Sequence, residues 1–308
     1  MSTSPVFASE IRQMMYVAGE TESASTEAVS LIESIIRNQV IHLITTADEY
    51  ASRRGSRVFS NNDLIFQFRH DAARVERVQK FLALKALRRS SKADDEDVEK
   101  VDVEDADTMQ GGLGDALETS RAVAASARLP WDINTLYGEL PPGPADSAAY
   151  EEQDATNLEK LRAADAKTLN MTVAEYTTWS EYRHASFTRR RVVKFRQWCG
   201  LGVVADHKAS DDVLDILGFL TSEMVHRLTV MALGLQEREN RRRLVLYGEQ
   251  NTEIGGFASL MGLNQDQQAR LPVECRHIRH AYDMTQSAST AHGARRKGIR
   301  STKMLCLI

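Results

Sequence analysis

Residues 25–54 read STEAVSLIESIIRNQVIHLITTADEYASRR, a run without proline or glycine. Its apolar residues recur at the spacing of one helix face: Val29, Ile32, Ile36, Leu43, Ala47 and Tyr50. At 1.5 Å per residue, a helix of this length extends for about 45 Å. One short neighbouring helix cannot cover such a face, so the run predicts that a second long element packs against it.

Residues 210–243, SDDVLDILGFLTSEMVHRLTVMALGLQERENRRR, predict that second long helix. Its apolar stripe comprises Val213, Leu217, Leu220, Met224, Leu228, Met231 and Leu235. Burial of seven such side chains stabilises a fold by roughly 10–20 kcal/mol in total, and exposed they favour aggregation. We therefore expect the two long helices to cover each other within one chain. The expected pairing core consists of Ile32, Ile36, Leu43, Leu217, Leu220, Met224 and Leu228.

Shorter helices are predicted on both sides of each long helix. Residues 6–18 form an amphipathic run that ends at Gly19, and a Ser60–Asp63 capping pattern precedes a helix predicted over 61–70. Asp71 begins a further helix. In the second half, Thr172 and Glu175 form a capping box, and another helix follows Pro272. Each half thus has the same order of elements around one long helix.

The charge distribution indicates a linker between these halves. Residues 93–157 carry 17 acidic and three basic residues, a net charge of −14 in a chain whose total is −4. This composition is typical of disordered segments, although it includes one apolar island around Trp131. The sequence therefore predicts four regions: a folded half at 1–91, an acidic linker at 92–157, a second folded half at 158–286, and a basic flexible tail at 287–308.

Composition and motifs exclude several classes of protein. Three widely separated cysteines argue for a reducing compartment, and no run approaches the roughly 18 apolar residues of a membrane span, so we expect a soluble intracellular protein. No phosphate-binding loop, dinucleotide fingerprint, nucleophile elbow or HExxH motif occurs. We expect no enzymatic activity, no cofactor and no metal site. Cys275, His277 and His280 lie close together, but the sequence offers no obvious fourth ligand.

A short helix, a long helix and another short helix, in this order, make up one unit of the histone fold. Such a unit buries its long helix only by pairing with a second unit. The first half is similar to the smaller of two TFIID histone-fold subunits that pair together, through EIRQMMYVAGE, LIESIIRNQVIHL, RRGSR and DLIFQFRHD. The second half resembles the larger mate, through WSEYRHASF, DDVLDILGFLTSEMV and RHIRHA. Together they resemble the Spt-three-type histone-fold subunits of the SAGA coactivator complex, over about 6–90 and 158–282. The expected fold is all-α, with two histone folds forming an intramolecular pseudo-dimer.

The resemblance implies a nuclear, non-enzymatic coactivator subunit that binds TATA-binding protein (TBP) and delivers it to RNA polymerase II promoters. It implies other SAGA subunits as further partners of a monomeric chain. It also places Arg57 and Asp63 in the arginine–aspartate clamp of the histone fold, and Glu223, in the SEMV motif, at the contact with TBP.

Two alternatives stay open at this point. Basic clusters at Arg88–Arg89, Arg189–Arg191 with Lys194 and Arg196, Arg241–Arg243 and Arg295–Lys297 could bind DNA phosphates, as an architectural histone-fold protein would. Arginines near helix C-termini also suit the helix dipole without any ligand. The second alternative is a TFIID-type subunit that needs a partner in another chain.

Overall fold

The computed structural model describes most of both predicted halves: residues 4–69, 71, 74–75, 77–82, 84–85, 158, 162, 164–169, 171–205, 208–209, 211–248 and 271–294. The predicted linker at 92–157 and its Trp131 island lie outside these residues. Within them the elements are, in chain order, α1 (Ala8–Ala18), α2 (Thr26–Arg53), β1 (Val58–Phe59), α3 (Asn61–Ile65), α4 (Val173–Tyr182), α5 (Val192–Cys199), β2 (Lys208–Ala209), α6 (Asp211–Gly248) and α7 (Cys275–Ala294). The mostly helical architecture confirms the predicted fold class.

The ends of α1 and α2 follow from local chemistry. Helix α1 ends at Gly19, whose φ of 113° is accessible to glycine at little cost. Helix α2 begins after Ser25, whose hydroxyl accepts a hydrogen bond from the Ala28 N–H at 3.1 Å. It ends where Gly55 adopts a φ of 68° and the Ser56 N–H reaches back to the Ala51 carbonyl at 3.0 Å. These ends lie within one residue of the predicted ones.

Carboxylate side chains also cap the N-termini of the short helices α3 and α4. The Asp63 carboxylate accepts from the Ser60 N–H at 2.7 Å at the start of α3, and Glu175 accepts from the Thr172 N–H at 2.8 Å at the start of α4. The Thr172 N–H holds the pKa of Glu175 below its usual value because it stabilises the ionised carboxylate. Both predicted capping boxes are confirmed. Helix α3 is shorter than predicted, because residues Phe66–Phe68 tighten into a 3-10 turn.

Two helices extend beyond their predicted ends. Helix α6 continues past Arg243 to Gly248, for a length of 38 residues. Helix α7 continues past Ser287 to Ala294, into the region predicted as a flexible tail. The residues that follow Ser287 include several alanines, which favour a helix although they form no apolar stripe.

The described residues divide into two compact units, and each unit combines parts of both sequence halves. The described residues of one unit lie within Met1–Val40, Ala185–Phe187 and Leu220–Ile308, and those of the other lie within Ile41–His184 and Thr188–Phe219. The division therefore falls inside α2 and α6, at Val40 and Phe219. At about 42 and 57 Å, these helices are longer than a single small core.

Helix α6 contains a stretch, Asp212–Arg242, that is long and apolar enough to cross a membrane by length and composition alone. In the structure 56% of the apolar 18-residue window within that stretch is buried in the protein. A core helix of a folded domain passes the same test, and the burial identifies α6 as such a helix.

Two glycines of α6 lie in contrasting surroundings. A Cβ atom at Gly218 would lie 2.3 Å from Oγ1 and 2.8 Å from Cγ2 of Thr188, closer than side-chain atoms can approach. A Cβ atom at Gly234 would meet nothing within 4 Å. Gly218 thus allows α6 to approach the segment that precedes α5.

This contrast predicts that replacing glycine by alanine has opposite effects on stability at the two positions. Gly218→Ala should destabilise the chain by about 1–3 kcal/mol through overpacking against Thr188. Gly234→Ala should stabilise it by about 0.5–1 kcal/mol, because alanine favours the helix more than glycine does. Urea unfolding of both variants measures the difference. Equal stability of the two variants would show that α6 does not approach Thr188.

Candidate functional site

The predicted pairing residues are all buried. Each is at most 1% exposed: Ile32, Ile36, Leu43, Leu217, Leu220, Met224 and Leu228. Ile32 and Ile36 of α2 belong to the same compact unit as Leu220, Met224 and Leu228 of α6. Leu43 and Leu217 belong together to the other unit. Each unit therefore takes core side chains from both long helices.

In the first unit, contacts join the two halves of the chain directly. The ring of Phe7, just before α1, stacks on that of Phe187 with centroids 4.6 Å apart. The carboxylate of Glu20, two residues after α1, accepts a hydrogen bond from the Val273 N–H at 2.9 Å. Gln39 of α2 donates to the Tyr282 hydroxyl of α7 at 3.3 Å.

In the second unit, the halves meet through backbone and side chains. Strands β1 and β2 pair in parallel, with Val58 opposite Lys208 and Phe59 opposite Ala209. Phe81 stacks on Phe219 of α6 with centroids 5.1 Å apart. The Lys85 ammonium lies 3.6 Å from the Asp212 carboxylate and also contacts that of Asp215. Residues far apart in sequence thus hold this unit together.

The arginine half of the predicted clamp is corrected by the structure. Asp63, which is fully buried, forms a two-point ion pair with Arg54, whose Nε lies 2.8 Å from Oδ1 while Nη2 contacts Oδ2. Arg57, the residue predicted from the resemblance, is exposed. The turn at Gly55 explains the change, because Arg54 lies before it, directly after the last residue of α2, whereas Arg57 follows it in the loop that leads to β1.

Glu223 lies at the edge of the buried face of α6. It is half-buried and adjoins Met224, which is fully buried. His226 and Arg227, about one turn further on, are exposed, and Val230 is 42% exposed. A carboxylate at this edge can contact a partner while its helix remains packed in the core.

Several buried polar residues are not identified from the sequence, among them Glu20, Glu33 and Gln39. Glu33 of α2 accepts from the N–H groups of Val6 and Phe7 at 3.1 and 3.4 Å. It thereby supplies the N-terminus of α1 with a carboxylate, which that helix lacks in its own capping residue, Phe7. Glu20 and Gln39 make the two polar contacts to the second half given above.

One of the residues considered for metal binding, His277, has other hydrogen-bond partners. His277 is buried, its Nε2 lies 2.9 Å from the Glu239 carboxylate, and its Nδ1 accepts from the Glu274 N–H at 3.2 Å. His280 is exposed. In the part of the chain that the structure describes, no group of three metal-ligating side chains comes together.

One basic cluster lies around a surface depression. Arg190, Arg191 and Lys194, all exposed, line a space of about 570 Å³ together with Val192, Val193 and Gln197. Arg241 and Arg242 are also exposed. The clusters at Arg88–Arg89 and Arg295–Lys297 lie outside the described residues.

Comparison with known proteins covers both halves. Residues 5–96 match the family described as transcription initiation factor IID, 18kD subunit. SAGA complex subunit Spt3 of Schizosaccharomyces pombe is 33% identical over 302 residues, which cover 93% of this chain and 92% of that protein. SAGA complex subunit SPT3 of Saccharomyces cerevisiae is 32% identical over 317 residues, covering 92% and 93%. Transcription initiation factor TFIID subunit 13 of Dictyostelium discoideum is 28% identical over 92 residues, which cover 30% of this chain and 85% of that protein.

Proposed function

The chain belongs to the Spt3 family of SAGA complex subunits, a family of non-enzymatic transcription coactivator subunits, and we propose that it binds TBP and delivers it to RNA polymerase II promoters within a SAGA-type complex. The observation that carries this proposal is the similarity to the Spt3 proteins across more than nine-tenths of both chains. A role at promoters places the protein in the nucleus.

The arrangement of the core supports a subunit that provides its own pairing partner. Both compact units use α2 from the first half and α6 from the second. The TFIID relative matches only 30% of this chain. A TFIID-type subunit that pairs with a second chain is therefore the less favoured alternative.

We place Glu223 at the TBP contact. Its position beside Met224, at the border between buried and exposed faces of α6, lets a partner approach without unpacking the core. A charge at the edge of an interface affects both the rate of association and the choice of partner. The contact surface would then continue along α6 through Arg227 and Val230.

Glu223→Lys should weaken TBP binding at least about tenfold, an effect near 1.4 kcal/mol, because the substitution reverses a charge within the contact. Glu237→Lys is the matched control, since Glu237 is an exposed glutamate on the same helix. Quantitative pull-down of purified TBP by each full-length variant measures the effect, with thermal unfolding to verify the fold. Equal binding by both variants would remove Glu223 from the contact. Failure of the unmodified chain to bind TBP would contradict the function.

Direct contact with DNA remains a secondary proposal. Arg190, Arg191 and Lys194 provide exposed positive charge suited to phosphate groups. The segment 93–157 has a net charge of −14, and we expect it to compete with DNA for this surface. DNA binding is therefore expected to add to the placement of TBP and not to replace it.

A further inference from the structure

The turn that follows α2 carries a pattern not used by the functions above. Its sequence is Arg53-Arg54-Gly55-Ser56-Arg57, with arginines three and two residues before a serine. Basophilic protein kinases select this order, because acidic residues in their substrate grooves complement arginines on the N-terminal side of the acceptor hydroxyl. Ser56 therefore meets the chemical requirement for a phosphate acceptor.

The turn is placed where such an enzyme can reach it. Arg53, Gly55 and Arg57 are exposed, and Ser56 is half-buried. The Ser56 hydroxyl donates to the Val58 carbonyl at 2.8 Å and accepts from the Val58 N–H at 3.2 Å. These bonds lie in an exposed turn, so a small local opening frees the hydroxyl.

We propose that Ser56 is a phosphorylation site for an ATP-dependent basophilic protein kinase, and that the phosphate loosens the Arg54–Asp63 clamp. The serine Oγ attacks the γ-phosphorus of ATP and forms the ester bond. The bond from that phosphorus to the β,γ-bridging oxygen breaks, ADP leaves, and the hydroxyl proton passes to a base of the kinase. No other co-reactant is needed.

The clamp is sensitive to this modification for two reasons. The phosphate brings about −1.5 to −2 charges within two residues of Arg54, and it competes with Asp63 for the same guanidinium. The ester oxygen also has no proton to donate to the Val58 carbonyl, so that bond to β1 is lost. In addition, the phosphate lies just beyond the C-terminus of α2, where the helix dipole disfavours an anion.

The test uses the full-length chain, the catalytic subunit of cAMP-dependent protein kinase, and ATP. Ser91 also follows two arginines, Arg88 and Arg89, and lies outside the described residues, so the experiment is done in a Ser91→Ala background. Mass spectrometry should locate the phosphate on Ser56. Thermal unfolding should shift downward by about 2–4 °C or more, and phosphatase treatment should restore it.

Two arginine substitutions test recognition of Ser56 by the kinase without removing the Arg54–Asp63 ion pair. Arg53→Ala removes the arginine three residues before Ser56 but leaves Arg54 on Asp63, and it should lower the initial rate of labelling at least about tenfold. Arg57→Ala, on the other side of the serine, should leave that rate unchanged. Labelling that persists in Ser56→Ala, or a rate that Arg53→Ala does not change, would overturn the assignment of the site. Phosphorylation of Ser56 without any shift in unfolding temperature would overturn its link to the clamp.

Discussion

Expressed separately, the two halves of the chain, residues 1–91 and 158–308, are each expected to be insoluble or unfolded. Expressed together, they should form a soluble one-to-one complex. The reason is that each compact unit is built from both halves, so a single half leaves the apolar face of its long helix exposed. Solubility, circular dichroism and light scattering of the separate and co-expressed halves measure this.

The loss of stability expected for a separate half follows from the burial of the pairing residues. The seven pairing residues, buried at roughly 1.5–3 kcal/mol each, represent on the order of 10–20 kcal/mol that neither half realises alone. This is as large as the whole net stability of most domains, which is about 5–15 kcal/mol. A co-expressed second half with Leu220→Asp is the matched control and should fail to rescue the first half. Two halves that each unfold cooperatively as monomers and do not associate would contradict the pairing.

The second large effect concerns the clamp. Asp63→Ala should destabilise the full-length chain by about 3–5 kcal/mol, because it leaves the Arg54 guanidinium without its buried partner and removes the cap of α3. Arg57→Ala should change the free energy of unfolding by no more than about 0.5 kcal/mol, since Arg57 is exposed. Urea unfolding monitored by circular dichroism compares the two variants.

A double-mutant cycle tests which arginine belongs to the clamp. Arg54→Ala and Asp63→Ala should show a coupling free energy of about 0.5–3 kcal/mol, as expected for residues in direct contact. The cycle of Arg57→Ala with Asp63→Ala should show none above experimental error. Coupling of Asp63 to Arg57 instead of Arg54 would restore the clamp expected from the resemblance.

The sequence predicted the long helices well because their signals are local. The ends of α2 depend on Ser25 and Gly55, whose capping behaviour can be recognised without tertiary information. The buried face of each helix follows from spacing alone, and all seven predicted pairing residues are buried. The extension of α7 beyond Ser287 had no such signal, because that segment has no apolar stripe.

The sequence was a poor guide to charged residues. Positions 54 and 57 carry the same residue type, arginine, so the sequence alone does not distinguish them. The three-dimensional course of the turn at Gly55 decides which of the two reaches Asp63. Glu20 and Glu33 are polar and were therefore not assigned to the core, yet both are buried because backbone N–H groups from other elements satisfy their carboxylates. Such partners depend on tertiary contacts, so no local pattern reveals them.

The most direct test of intramolecular pairing is zero-length carbodiimide cross-linking of the full-length chain, mixed in equal amounts as unlabelled and nitrogen-15-labelled protein. Lys85 of the first half contacts the carboxylates of Asp212 and Asp215 of the second, so an amide should form between them. The account predicts this cross-link in the monomer fraction, with both peptides carrying the same isotope. Cross-linked peptides of mixed isotope, or a monomer without the cross-link, would contradict pairing within one chain.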